Sequence, residues 1–195
     1  MEVILRAAQL RFASFGYSKV TMDEIAEDIG MAKASLYYYF PTKEAIFRSV
    51  VQHEHGEFMQ RTSAVFQQKL SAGEKLIQYV QLRLKLTERL NNLSHFRQQS
   101  WHDVKPIFKG LFATFTETEA RCVSHILQEG KKSGEFQVEH PQKTALLILH
   151  VLQGLHIRFV RRIDGNGEVE VDRSAFEQEA MHFMNTLLQG LLRRN

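Results

Sequence analysis

The chain is poor in the features that would place it outside a reducing compartment or across a bilayer. Its 195 residues hold one cysteine, Cys122. No internal disulfide is possible, and the usage suits a reducing cytoplasm. No apolar run approaches the length of about 18 residues that a membrane span requires, and no basic-then-apolar signal peptide opens the sequence. Low-complexity segments and internal repeats are missing too. No alternating apolar-polar run of strand length stands out, which removes the β classes. Charge of one sign is scarce: the formal net charge is +3, which permits a nucleic-acid partner without arguing for one.

Recognisable catalytic patterns are absent as well. There is no H-E-x-x-H, phosphate-binding glycine loop, G-x-S-x-G or dinucleotide fingerprint, so the expectation is a protein that is not an enzyme and needs no cofactor. The nine histidines do not assemble a metal site. His53 and His55 point to different sides of a helix, and His150 and His156 are six apart. Cys122 and His125 share a face but lack a third ligand, so no metal is expected.

What is present is helical period almost everywhere. Residues 2–15 carry Leu5, Ala8, Phe12 and Phe15 on one stripe, with Gly16 placed to stop the helix. Thr21 and Glu24 form a capping-box pattern, and the helix they open bears Met22, Ile25, Ala26 and Ile29. Gly30 ends it, and a further helical stretch runs from about Ala32 to Phe40 before Pro41. Thr42 can cap the next helix, through Ala45, Ile46 and Val50 towards Phe66.

Later helices are longer. One is expected over 74–93, with Leu76, Val80, Leu84 and Leu90. Another runs from Pro106 to 131, with Ile107, Phe108, Leu111, Phe112 and Phe115. A third starts at Pro141 and holds "ALLILHVLQGLHIRFV". After the loop "DGNGEVEVD", with Asp172 as cap, a last helix carries Phe176, Ala180, Phe183, Leu187 and Leu191. The fold class is therefore all-α. A small N-terminal three-helix bundle spans residues 1–45, and a larger helical domain covers 46–195.

Helix, tight glycine turn, helix over Thr21–Phe40 is the helix-turn-helix layout, whose second helix enters the DNA major groove. At about 100° per residue, Leu36 and Phe40 share the inward side and Tyr39 lies near them. Tyr37, Ala34, Tyr38 and Ser35 fall outward, with Lys33 at the N-terminal edge. Tyrosine can donate to a phosphate and touch a thymine methyl, and a small residue lets the backbone approach. Lys33 can reach a phosphate or a guanine, and Lys43 and Thr21, each at the start of a helix, can hold phosphates. Local charge agrees with this face, since residues 31–43 carry two lysines and no acid while four acids crowd residues 23–28. The periodicity alone leaves a second reading open, in which the tyrosines are plain surface residues or a patch for another protein.

The stretch "ILRAAQLRFASFGYSKVTMDEIAEDIGMAKASLYYYFPTKEAIF", Ile4 to Phe47, closely resembles the DNA-binding domain of TetR-family transcriptional regulators. The pattern is carried by the Ala-Ala of the first helix, Phe15-Gly16-Tyr17, Thr21, Ile25-Ala26, Gly30, Leu36-Tyr37-Tyr38, Phe40 and Lys43-Glu44. The resemblance implies DNA contacts from Thr21, Lys33, Ala34, Ser35, Tyr37, Tyr38, Tyr39 and Lys43. Two positions depart from it: Ala34 stands where glycine is common, and Tyr39 where histidine is frequent. It also implies a homodimer through the last two helices, where Gly154 permits close helix approach and the Phe183 stripe is long and apolar. By the same analogy the middle helices enclose a pocket for a small-molecule effector, with Tyr79, Phe96, Trp101, His102, Phe112, Phe115 and His156 as candidate lining; ordinary core packing is the alternative for each. The expected function is a cytoplasmic repressor that leaves its double-stranded DNA operator when the effector binds. The alternative is a DNA-bound adaptor whose C-terminal domain takes a protein partner.

Overall fold

A computed structural model describes residues 1–89, 101–160 and 173–192, and within them the side chains of all but 87–89, 101–109, 157–160 and 173. Eight helices lie in the described residues. They are α1 (Glu2–Phe15), α2 (Met22–Asp28), α3 (Lys33–Tyr39), α4 (Lys43–Phe66), α5 (Ala72–Arg89), α6 (Trp101–Ser133), α7 (Pro141–Val160) and α8 (Arg173–Leu191). The chain forms two compact units, Met1–Phe58 with Leu86–Leu111 and Met59–Lys85 with Phe112–Asn195. Each draws on two separated stretches of chain, and the boundary expected at residue 45 falls within the first turn of α4.

The first unit is built on α1, α2 and α3, with α2 packed against both of its neighbours. Ile4, Ala8 and Phe12 form the buried stripe of α1, one residue per turn. The expected stripe through Leu5 and Phe15 is corrected here: Leu5 is half-buried and Phe15 exposed. Gly16 then ends α1 at φ 76°, in the left-handed region that suits glycine. Thr21 caps α2 as its spacing predicts. Its hydroxyl accepts from the Glu24 N–H at 3.3 Å, and the Glu24 carboxylate accepts from the Thr21 N–H at 2.8 Å. Gly30, at φ 62°, makes the turn into α3.

In the second unit one apolar core gathers Leu76, Val80, Val123, Leu127, Leu149 and Leu152 with residues of α8. Pro106 does not start its helix, as the sequence suggested; α6 begins five residues earlier, at Trp101. The short segment after α6 works as a clasp. Gly134 turns at φ 80°, and both Glu135 oxygens accept from the first free N–H groups of α5, Ala72 and Gly73, at 2.8 Å. Ser71 and Glu74 add a second capping box to the same helix end. Phe136 seats so closely on α6 that a Cβ on Gly130 would lie 2.2 Å from its ring. An isolated bridge from Phe136 to Leu192 ties the end of α8 to this clasp. Leu90, the "DGNGEVEVD" loop and its cap Asp172 lie outside the described residues.

Candidate nucleic-acid interface and core polar cluster

α3 is short and thinly anchored. Leu36 is its only buried residue, and Phe40, just past its end, is the second. Phe40 precedes Pro41 and is pushed to extended backbone, φ −132° and ψ 100°. It reaches the core by leaving the helix. Tyr39, assigned to the inward side by periodicity, is exposed instead. Tyr37, Tyr38 and Tyr39 are 40%, 85% and 46% exposed, so all three rings of the row face solvent. Tyr38 and Tyr39 pack edge to face at 5.5 Å. Ala34 and Ser35 are exposed beside them.

Two lysines border this face, and both ammonium groups have partners. Lys33 Nζ donates to Asp23 at 2.7 Å, and its charge lies 6.0 Å from the Tyr37 ring centroid. The hydrogen bond to Asp23 raises the Lys33 pKa. Sequence reading missed Asp23 because it lies ten residues away on a separate helix. Lys43 Nζ donates to three backbone carbonyls of the loop between α1 and α2: Tyr17 at 3.0 Å, Ser18 at 3.4 Å and Val20 at 2.9 Å. The Tyr17 ring lies under it, 4.6 Å to the centroid. Partial burial lowers its pKa. Thr21 is exposed at the start of α2, so its outer surface is accessible while its hydroxyl serves as cap.

Arg11 supports α2 from α1. Its guanidinium donates to Asp28 at 2.7 Å and approaches Glu24 at 3.3 Å. Asp28 is held below the usual carboxylate range by this hydrogen bond, and Glu24 by its bonds from Thr21.

Four of the seven expected effector residues have described side chains. Phe96 lies outside the described residues, as do the side chains of Trp101 and His102. Phe112 and Phe115 are half-buried and meet edge to face at 6.0 Å. His156 is buried against Phe176, ring centroids 5.5 Å apart. Tyr79 is fully buried and donates its hydroxyl to Glu119, which also accepts from Arg83 Nε at 2.8 Å. Arg83 and Glu119 are both buried. This cluster was overlooked in the sequence. Its one local signal is that Arg83 falls on the apolar stripe of Leu76, Tyr79 and Val80, where a charge is out of place. Burial and Glu119 push the Tyr79 pKa well up, while Glu119 holds that of Arg83 above its ordinary value against desolvation. No group of three or more His, Cys, Asp or Glu is placed to hold a metal among the described residues.

Comparison with known proteins fits this geometry. Residues 4–50 match the family described as bacterial regulatory proteins, tetR family. The fold superposes on a transcriptional regulator from Cytophaga hutchinsonii ATCC 33406 with a TM-score of 0.84, 33% identity and 98% of each chain covered. The fatty acid metabolism regulator protein of Bacillus subtilis strain 168 is 26% identical over 137 residues, 70% of either chain. The nucleoid occlusion factor SlmA of Vibrio vulnificus strain YJ016 is 26% identical over 171 residues, 82% of this chain and 83% of that one.

Proposed function

We propose that this chain, which belongs to the tetR family of bacterial regulatory proteins, is a homodimeric repressor that a small-molecule effector releases from its operator. That it is a DNA-binding transcriptional regulator follows from the family. The observation that carries the site is the face of α3. Lys33, Ala34, Ser35, Tyr37, Tyr38 and Tyr39 are all exposed, and two buried side chains hold them in place. With Thr21 at the neighbouring helix start, they can meet the major groove and its flanking phosphates.

Tyr38 is the most exposed of the three rings and makes no packing contribution to the core. Tyr38→Ala should therefore leave the protein folded and weaken binding to a duplex enriched by the wild-type protein from a random-sequence pool. The expected loss is about tenfold to a hundredfold, the range of one good base or phosphate contact. Wild-type affinity in the folded variant would refute this assignment of the face.

Homodimerisation through α7 and α8 places two such faces on half-sites about 34–36 Å apart. The exposed Leu147 and the half-buried Phe183, Leu187 and Leu188 supply apolar surface for it. An effector site in the second unit, around Tyr79, Phe112, Phe115 and His156, is supported by the polar cluster at Tyr79 amid an apolar core. The likeness to a nucleoid occlusion factor favours a second reading, a DNA-bound adaptor with a protein partner. Thermal stabilisation by small acyl and aromatic metabolites supports the first, and its absence together with a co-purifying protein supports the second.

A further inference from the structure

The acids of α2 are not used alike. Glu24 is taken up by the Thr21 cap and by Arg11, and Asp28 by Arg11. Asp23 reaches the other way, across the glycine turn, and accepts from Nζ of Lys33, the first residue of α3, at 2.7 Å. The pair is open to water, with the Lys33 and Asp23 side chains 60% and 57% exposed, so it contributes little to stability. Its effect lies in where it leaves the charge. The ammonium is placed between the Asp23 carboxylate and the Tyr37 ring, 6.0 Å from the centroid, on the face that carries Ala34 and Tyr38. An ammonium has three protons, and the bond to Asp23 leaves two, the number that the O6 and N7 acceptors of a guanine take. A phosphate is offered at every step of any duplex, but it competes for Lys33 against a carboxylate of its own sign.

We propose that Asp23 is a positioning residue for sequence readout: it holds the Lys33 ammonium on the groove side of α3, aimed at a guanine edge, and withholds it from the phosphates of arbitrary DNA. The inference rests on the DNA-binding reading of α3. It goes beyond that reading because Asp23 adds negative charge to a face that meets a polyanion, which costs affinity for every sequence. The cost is least where Lys33 bonds a base without leaving the carboxylate. The loss therefore falls mainly on complexes with arbitrary DNA, and the operator is set apart from them.

The test uses Asp23→Asn, which keeps the shape of the side chain and removes its charge, with two duplexes: the one enriched by wild-type protein and one of arbitrary sequence. Binding to the arbitrary duplex should tighten on the order of fivefold, the ceiling for an exposed ion pair. Its slope of log affinity against log salt concentration should steepen by about 0.9 for each lysine that gains a phosphate. Discrimination at one G·C position of each half-site should fall about tenfold, so the ratio of the two affinities drops. In a Lys33→Met background the same substitution should leave that ratio unchanged, because no ammonium remains to be aimed. Three results overturn the proposal. An equal gain on both duplexes, with base preference intact, reduces Asp23 to a carboxylate that repels the backbone. A ratio that still falls in the Lys33→Met background makes Asp23 itself the base contact. Unchanged affinity for both duplexes leaves the pair without a part in binding. Wild-type protein that binds neither duplex sinks the DNA reading of α3, and the proposal with it.

Discussion

At the scale of single residues, the costliest arrangement is the charge inside the second unit. Arg83 and Glu119 have side chains only 10% exposed, and their attraction offsets a desolvation penalty of several kcal/mol per ion. Glu119→Ala is expected to destabilise the protein by about 3–5 kcal/mol, because the Arg83 guanidinium and the Tyr79 hydroxyl would both lose the buried carboxylate they share. The paired variant Arg83→Met/Glu119→Leu should recover most of that loss. Chemical denaturation of the three proteins checks this. A Glu119→Ala loss below about 1 kcal/mol would show that water reaches the pair.

At the scale of elements, α1 and α2 are joined by ion pairs whose strength depends on pH. Asp28 and Glu24 have folded pKa values below their ordinary ones, the first through Arg11 and the second through Thr21. A depressed carboxylate contributes stability above its unfolded pKa, and that contribution disappears as pH falls through the folded value. The first unit should therefore weaken as pH drops below about 4, the ordinary carboxylate range. Thermal melts from pH 7 to pH 3 should show a smaller acid loss for Asp28→Asn than for wild type. Equal losses would mean that the Arg11–Asp28 pair contributes nothing to acid sensitivity. The helix boundaries themselves obey local rules. Thr21 with Glu24, Gly16 and Gly30 mark them legibly because caps and left-handed turns need particular residues at particular positions. Tyr39 escaped the periodic reading because lying near Leu36 on the helix buries a side chain only where a neighbouring element covers it, and within α3 only Leu36 is so covered.

For the whole molecule, the proposed dimer makes two weak DNA contacts act as one. Linking two faces raises the effective concentration of the second, so monomeric protein should bind an operator far less tightly. Leu147, 57% exposed on α7, is an apolar side chain that the described chain leaves uncovered. Leu147→Glu is expected to shift sedimentation towards monomer and to reduce operator affinity at least tenfold, with helicity unchanged. A variant that remained dimeric would place the interface elsewhere.

Local chemistry in the chain was enough to define the helical class, the helix-turn-helix and most of its outward face. Caps, glycines and apolar stripes act over four or five residues, so they can be read without a fold. Tertiary structure alone decided the partners that lie far apart in sequence. Lys43 meets carbonyls more than twenty residues away, and every residue carries such an acceptor, so no residue type announces it. Arg83 finds Glu119 at a separation of 36, and Glu135 caps a helix start 62 and 63 residues before it. Such pairings depend on which helix faces come together, and packing alone determines that.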